Sequence, residues 1–262
     1  MSDTAPETEG EEEAVYPRPL LAVHEDREFL LSPGEEQGTD LGVLEIPLDA
    51  EPGDVVETHL GEPFTLRALR GPDLFDNMDR TGAPMMPRDI GLVMGHTGIS
   101  RDDHVLDAGT GTGVLSVYVG RTGATVTTYE TNPEFAEVAR ENVRMAGAED
   151  TVEVRTGDLT EHLDELTEGE GFDVLTLDTQ DAPEVVARAP DLLVPGGYVA
   201  VYSPFVEGTR EAALAAREAG LLEVETLETI QRRMDFDERG SRPSTAGVGL
   251  TGYLTFARRG PR

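Results

Sequence analysis

A regular alternation of strand-like and helix-like segments begins near residue 90 and constrains the fold more than any other feature of the sequence. Apolar runs typical of strands occur at 104–109, 124–130, 151–158, 172–178 and 197–204. Helical segments are predicted between them, at about 112–122, 133–146, 183–192 and 208–219. This alternation predicts an α/β domain with a doubly wound, mostly parallel sheet. Two late runs without a helix between them, 221–231 and 249–259, complete seven strands as an antiparallel pair.

The sharpest local motif is VLDAGTGTG at 105–113, where a strand ends in alternate glycines before a helix. Gly109, Gly111 and Gly113 allow a tight turn and a close approach of backbone to a ligand. A dinucleotide turn would place its third glycine at 114, where this chain has Val114. The spacing instead fits the turn that holds S-adenosylmethionine in methyltransferases. An NAD-binding oxidoreductase is the weaker alternative.

Acidic residues close the strands of the predicted sheet, where ligands bind in open α/β folds. Glu130 follows Gly109 by 21 residues and is placed to accept both ribose hydroxyls of an adenosine cofactor. Asp158 is placed to accept the adenine amino group, with a helix cap as the alternative, and Asp178 ends the apolar run VLTL. The predicted cofactor-binding residues are Asp107, Gly109, Gly111, Gly113, Val114, Glu130, Asp158 and Asp178.

The charge balance is extreme, with 52 acidic residues against 21 basic ones and a formal net charge of -31. Every basic residue is an arginine. Such a chain repels itself at ordinary ionic strength, and at molar salt the Debye length of roughly 3 Å screens the repulsion. The composition therefore favours a halophilic protein. With no cysteine, disulfides and thiolate nucleophiles are excluded.

The chain outside the alternating region has a different composition. Residues 1–14 are acidic and poor in apolar side chains, which predicts a disordered tail. Residues 15–80 contain short alternating apolar runs broken by Gly and Pro, typical of a small β-rich domain. Residues 81–262 form the predicted catalytic domain. The chain has no apolar stretch of membrane-spanning length and no basic, apolar leader, so we expect a cytoplasmic protein.

These segments together resemble the class I S-adenosylmethionine-dependent methyltransferases, and within them the tRNA adenine-58 N1-methyltransferase family, including its archaeal members. The resemblance covers roughly residues 40–259. It rests on MMPRDIG (85–91), the glycine turn, ARENV (139–143) downstream of Glu130, VLTLD ending at Asp178, VYSP (201–204) and the tail RPSTAGVGLTGYLTFARR (242–259). The tail is the most family-specific segment.

The resemblance implies that the chain transfers a methyl group to N1 of an adenine in the T-loop of tRNA. Asp178 and Tyr202 are then the candidate catalytic residues, with Asp178 beside the methyl group and the target base. It also implies a homotetramer, tRNA as partner, and neither a metal nor a membrane. The five histidines are scattered, without metal-ligand spacing.

The candidate tRNA-binding residues fall in two groups. An arginine-rich tail carries seven Arg and four acids over 228–262, whereas residues 1–66 carry 18 acids and two Arg. Arginines of this tail are candidates for phosphate contacts, with ion pairs to neighbouring acids as the alternative. Met86, Arg88 and Leu250 are expected in the base pocket, because the corresponding positions line that pocket in relatives. The full substrate-binding set is Met86, Arg88, Arg232, Arg233, Arg242 and Leu250.

Three of these positions depart from the family pattern. Met86 stands where relatives usually have Tyr or His. The P-K-D motif that follows in relatives is P-R-D here, with Arg88 in place of the lysine. Leu250 stands where relatives have His. A non-catalytic tRNA-binding member is therefore one alternative. A methyltransferase acting on a small molecule or a protein is another, against which the β-rich domain and the arginine-rich tail argue.

Overall fold

The computed structural model describes residues 18–246 and 252–261, and it divides the chain into two compact units between Leu69 and Arg70. Sequence analysis places the boundary at 80/81 instead. The difference is a helix that the sequence analysis did not predict, α1 (Gly71–Asn77), which starts the second unit. The Asp73 carboxylate accepts the Arg70 backbone N–H at 2.8 Å and fixes the start of this helix. The predicted tail, residues 1–14, lies outside the described residues.

The first unit is built from short antiparallel strands. They are β1 (Leu20–His24), β2 (Arg27–Leu31), β3 (Glu36–Thr39), β4 (Gly42–Glu45), β5 (Val55–Glu57) and β6 (Pro63–Ala68). Four form a sheet in the order β2-β1-β6-β5, and β3 pairs with β4. In β6 the side chains of Phe64 and Leu66 alternate inward and pack on Leu20, Ala22 and Leu44. The small β-rich region predicted from the sequence is confirmed.

The second unit alternates strands and helices as predicted. Its strands are β7 (His104–Ala108), β8 (Thr125–Glu130), β9 (Val152–Thr156), β10 (Phe172–Leu177), β11 (Leu193–Ser203), β12 (Leu222–Glu228), β13 (Met234–Asp237), β14 (Gly240–Pro243) and β15 (Tyr253–Arg258). Its helices after α1 are α2 (Pro87–Thr97), α3 (Val114–Gly120), α4 (Pro133–Met145), α5 (Leu163–Leu166), α6 (Ala182–Leu192) and α7 (Val206–Glu218), with a 3₁₀ turn at Leu159–His162.

Seven strands form the central sheet in the order β12-β15-β11-β10-β7-β8-β9. The strands from β11 to β9 in this order are parallel, while β15 runs antiparallel to both β11 and β12. The order reverses at β7 and β10, so the carboxyl ends of β7, β8 and β10 meet at one edge of the sheet, where ligands bind in such folds. The predicted fold class and the antiparallel closing pair are confirmed.

The helices that cover the sheet are specified locally. In α4 the Asn132 side chain accepts the Glu134 backbone N–H at 2.9 Å, and Pro133 occupies the first helical position. The buried face of α6 supplies Val185, Val186 and Ala189 to a core shared with β10 and β11. Buried apolar side chains thus fix the strand ends that carry the site.

Candidate functional site

The loop after β7 is a glycine turn whose geometry excludes side chains. Gly109 has φ +88, and a Cβ at this position would overlap the backbone carbonyl oxygen of Asp178. Gly111 has φ +53, and a Cβ there would meet nothing closer than Thr81 Oγ1 at 3.7 Å. Gly113 follows with φ +80, directly before Val114 begins α3. The turn therefore packs its first glycine against β10 and leaves open space above its second.

Asp107 lies under this turn, 3% exposed, and accepts three hydroxyl hydrogen bonds. Ser116 and Thr128 donate to Oδ2 at 3.0 and 2.6 Å, and Thr176 donates to Oδ1 at 2.5 Å. Burial raises the pKa of Asp107, and the three hydroxyl groups act against that shift. Its donors come from α3, β8 and β10, so this carboxylate joins three elements beneath the turn.

Glu130 ends β8 and holds the turn from the other side. Its two carboxylate oxygens accept the backbone N–H groups of Gly111 and Asn132 at 2.9 and 3.0 Å. The residue is 8% exposed, so the carboxylate is fixed while part of it still faces the space above the turn.

The glycine turn opens onto a cavity of about 310 Å³, here named the turn cavity. It is lined by the segment 81–85, by residues 109–112 with Val114, and by Asp107, Glu130 and Asp178. Within it the buried hydroxyl of Thr112 has no hydrogen-bond partner among the described residues. The structure thus brings the predicted glycine and acidic residues of β7, β8 and β10 together around one space.

Asp158 lies beside this cavity but has a structural role as well. Its Oδ1 accepts the Thr160 backbone N–H at 2.9 Å and the Thr160 hydroxyl at 2.7 Å, which caps the 3₁₀ turn. It also lines a small cavity of about 40 Å³ that shares Gly109 and Glu130 with the turn cavity. The helix cap considered in the sequence analysis is therefore present, next to the space where adenine contact was predicted.

Asp178 follows β10 and lies between two cavities. Besides the turn cavity, it lines a second one of about 690 Å³, here named the outer cavity, formed by residues 178–183, 201–205 and the start of α7. No described residue donates a hydrogen bond to its carboxylate. Burial, with a contribution from the charge of Asp107, raises the pKa of Asp178 to about 7. A titratable group with a shifted pKa in a cleft is typical of a reactive site.

Tyr202 lies on β11 in the lining of the outer cavity. Burial raises the pKa of its phenol above the usual value, and the charges of Asp178 and Asp89 add to that shift. The phenol is therefore a neutral hydrogen-bond donor at ordinary pH.

The structure does not bring Met86 and Arg88 into the two cavities. Met86 precedes α2 and is exposed, whereas its neighbour Met85 is buried and lines the turn cavity. The Arg88 guanidinium lies 3.5 Å from the buried carboxylate of Asp89. Leu250 lies outside the described residues.

The predicted phosphate-contact arginines lie on and beside the β13–β14 hairpin. Arg232 and Arg233 precede it and are exposed, with Arg232 donating to the Ser244 carbonyl at 3.3 Å. Arg242 lies on β14 opposite Asp235 and lines a surface cavity of about 320 Å³ at the hairpin. These three side chains lie on or beside the same hairpin and are exposed, as phosphate contacts require.

The sequence analysis missed one buried residue that organises the site, Asn142 on α4. Its amide donates to the carbonyls of Thr112 and Asp79 at 2.8 and 3.0 Å, and its oxygen accepts the Asp79 N–H at 3.0 Å. It therefore ties the segment that leads into 81–85 to the glycine turn. This asparagine belongs to the ARENV motif, one of the segments that carry the family resemblance, so the sequence does contain a signal for it.

Two absences concern the described residues alone. Over residues 18–246 and 252–261, no group of three or more His, Asp or Glu side chains is arranged to hold a metal ion. In the same ranges no helix has the length and apolar character needed to cross a bilayer.

A seven-stranded sheet closed by an antiparallel β15, with a glycine turn after β7 and an acidic residue after β8, defines a class I methyltransferase fold. Solved structures share it. A SAM-dependent O-methyltransferase from Thermotoga maritima has a TM-score of 0.77 at 24% identity, covering 95% of this chain and 94% of that one. The tRNA (m1A58) methyltransferase TrmI from Aquifex aeolicus has a TM-score of 0.69 at 19% identity, covering 93% and 97%.

The chain belongs to the family described as tRNA methyltransferase complex GCD14 subunit, whose model matches residues 75–240. It is 34% identical to the tRNA (adenine(57)-N(1)/adenine(58)-N(1))-methyltransferase TrmI of Methanocaldococcus jannaschii, over 91% of this chain and 94% of that protein. It is 29% identical to the tRNA (adenine(58)-N(1))-methyltransferase TrmI of Thermus thermophilus, over 81% and 83%. The family predicted from the motifs is confirmed, and the alternative of an NAD-binding oxidoreductase is not supported.

Proposed function

We propose that this protein is an S-adenosylmethionine-dependent methyltransferase that methylates N1 of an adenine of the position-58 type in the T-loop of tRNA. The observation that carries the proposal is the position of Asp178, which is unpaired among the described residues and forms a wall common to the turn cavity and the outer cavity. One cavity suits the methyl donor and the other suits the acceptor base. The names of the full-length relatives support the same substrate.

The turn cavity fits S-adenosylmethionine on three structural grounds. The backbone at Gly111 leaves space that a side chain would occupy, Thr112 presents a buried hydroxyl without a partner, and Glu130 presents a fixed carboxylate. The glycine turn, with Asp107 beneath it and Gly113 and Val114 at the start of α3, would hold the methionine part. Glu130 would accept the ribose hydroxyls and Asp158 the adenine amino group. When bound, the cofactor supplies a methyl group activated by its sulfonium.

Asp178 is the residue that acts on the reacting base. Methylation at N1 places a positive charge on adenine, and an ionised carboxylate that accepts a hydrogen bond from the exocyclic amine stabilises that charge as it develops. Asp178 is free to do so because no described residue occupies its oxygens. The side chain is half-buried, so water screens this interaction less than it would at the surface.

Tyr202 is the second residue on the acceptor side. Its neutral phenol lines the outer cavity together with Asp178, where it can donate a hydrogen bond to the base or support it by contact. No covalent nucleophile is needed for this transfer, because positioning N1 about 3 Å from the methyl carbon supplies most of the rate enhancement.

The arginines of the hairpin region supply the proposed contacts to tRNA phosphates. Arg232, Arg233 and Arg242 are exposed on one part of a strongly acidic chain. Met86, Arg88 and Leu250 remain proposed substrate-binding residues, on the family resemblance alone. Phosphate contacts weaken as salt rises, so shape recognition must contribute more in a protein adapted to concentrated salt.

We also propose a halophilic, cytoplasmic homotetramer. The net charge of -31 with arginine as the sole basic residue supports work in concentrated salt. The β13–β14 hairpin supports self-association, because Met234 and Phe236 are exposed on the same face of β13, at 49% and 76%. Light scattering in molar potassium chloride tests the assembly.

Tritium transfer from labelled S-adenosylmethionine to an unmodified tRNA transcript, followed by nucleoside mapping, tests the activity. Label in N1-methyladenosine at the T-loop supports the proposal. A protein that binds tRNA and cofactor without transfer would instead be the non-catalytic member that Met86 and Leu250 favour. Label on a small molecule or a protein, but not on tRNA, would support the other alternative.

A further inference from the structure

The outer cavity contains an exposed aromatic side chain that the proposed mechanism does not use. Phe205 lies between β11 and α7, lines this cavity with Asp178 and Tyr202, and is 70% exposed. Because most of its surface is exposed, this ring contributes little to the packing of the fold. Its position in the lining of the outer cavity, together with Asp178, favours contact with a ligand that has a flat apolar face.

The backbone that carries this ring is held in place. The Ser203 hydroxyl accepts the Phe205 N–H at 3.2 Å and donates to the Phe205 carbonyl at 3.0 Å. The same carbonyl accepts the backbone N–H and the hydroxyl of Thr209, at 3.1 and 2.8 Å, from the first turn of α7. Phe205 is thus an exposed ring on a fixed support, which lowers the entropy cost of stacking a base on it.

Among the described residues, the charged side chains that line the outer cavity are all acidic. Besides Asp178, its lining includes the carboxylates of Asp181, Glu207 and Glu211, the last two one helical turn apart on α7. A cavity with four carboxylates repels phosphate, admits a neutral base and stabilises a base that becomes cationic on methylation. The acidic lining therefore selects for the base over its backbone.

We propose that the outer cavity receives the target adenine as an extruded, neutral base, and that Phe205 is the ring on which that base stacks while the acidic rim keeps its phosphates outside. This inference rests on the proposed function. Stacking of a base on an aromatic side chain offsets part of the cost of removing it from the tRNA stack. Phe205 is a substrate-binding residue that acts on base capture and leaves the cofactor untouched.

The test compares Phe205→Ala, Phe205→Leu and Phe205→Tyr in tritium transfer to an unmodified tRNA transcript. We expect Phe205→Ala and Phe205→Leu to lower kcat/KM for tRNA by about 5- to 100-fold, and Phe205→Tyr to stay close to the wild type. The dissociation constant for S-adenosylmethionine, measured by calorimetry, and the melting temperature should not change. Rescue by Tyr but not by Leu distinguishes stacking from simple filling of space.

The matched control is Val206→Ala, since Val206 is the next residue, is 55% exposed and does not line the cavity. It should retain wild-type kcat/KM. Wild-type activity in Phe205→Leu, or an equal loss in Val206→Ala, would overturn the inference while leaving the proposed function in place. A wild-type protein that transfers no label to tRNA would overturn both.

Discussion

The ends of two adjacent strands, β7 and β10, each carry an aspartate, and the two carboxylates differ in their hydrogen bonding. Asp107 on β7 is enclosed and accepts hydroxyl hydrogen bonds from three elements. Asp178 after β10 is half-buried, and no described residue donates to its carboxylate. Burial raises the pKa of both groups, although only Asp107 has donors that oppose the shift. The difference separates a carboxylate that holds a fold from one kept available for a substrate.

The largest effect is expected from Asp178→Asn. Loss of the charge that stabilises the methylated base should lower transfer to tRNA by on the order of 10²–10³-fold, while S-adenosylmethionine binding is largely kept. Single-turnover tritium transfer and calorimetry measure the two quantities. Asp150→Asn, an equal charge change at an exposed position outside both cavities, is the control. Unchanged transfer in Asp178→Asn would remove the catalytic assignment.

The same variant should be more stable than the wild type at pH 8. The folded-state pKa of Asp178, about 7, lies above the ordinary value of 3.8, so folding disfavours its charged form. This penalty builds up as pH rises from about 4 to 7 and is level above pH 7. Asp178→Asn should therefore raise the melting temperature by a few degrees at pH 8 and by about half as much at pH 5.5. An equal gain at both pH values would contradict the shifted pKa.

Asp107→Ala should have the opposite effect on stability. Three buried hydroxyls, on Ser116, Thr128 and Thr176, would lose their acceptor, which costs about 3 kcal/mol of unfolding free energy. Thermal or denaturant unfolding at constant high salt measures it, with Asp150→Ala as the control. A cost below about 1 kcal/mol would show that the hydroxyl groups find other partners and would end the contrast between the two aspartates.

A smaller effect on the cofactor side is expected from Glu130→Gln. The Glu130 carboxylate accepts the Gly111 N–H and is proposed to accept the ribose hydroxyls, so its loss should raise the dissociation constant for S-adenosylmethionine by about 10- to 100-fold. kcat at saturating cofactor should change only a few-fold. Glu141→Gln, on the exposed side of α4, is the matched control. A fall in kcat with unchanged affinity would place Glu130 on the acceptor side instead.

The smallest effect is a pH dependence that belongs to Asp178. Because the ionised form is the active one, kcat/KM should be level above pH 7 and fall about tenfold for each unit below it. Rates between pH 5.5 and 9 measure the profile. The acid limb should disappear from the residual activity of Asp178→Asn. A midpoint near pH 4 in the wild type would mean that Asp178 titrates as an ordinary carboxyl group.

Much of the second unit follows directly from the sequence. Strand–helix alternation fixes the parallel sheet, and Pro133 at the start of α4 marks its first residue in both the prediction and the structure. The glycine spacing locates the turn because backbone conformation there is set by the residue itself. Such features are local, and local features can be read from a single chain.

The parts that the sequence analysis missed depend on long-range contacts. Nothing adjacent in sequence shows that Asn142 bonds to Asp79 and Thr112, or that Asp178 and Phe205 line one cavity. Helix α2 is not predicted, because it begins in a segment rich in turn-forming residues. Pro87 at its first position is nevertheless a helix-start signal. The turn between β1 and β2 also has no clear sequence signal, since Glu25 adopts φ +52, a conformation in which glycine is the usual residue.

The three hydroxyl groups that donate to Asp107 also limit local opening of this part of the protein. Local separation of α3, β8 or β10 beneath the glycine turn would break a hydrogen bond to this single carboxylate. Amide protons of the turn and of these strand ends should then exchange with deuterated water only at the rate of whole-domain unfolding. The turn cavity, proposed to hold the methyl donor, would therefore stay folded between turnovers. Conformational change would be confined to the outer cavity, proposed to receive the base.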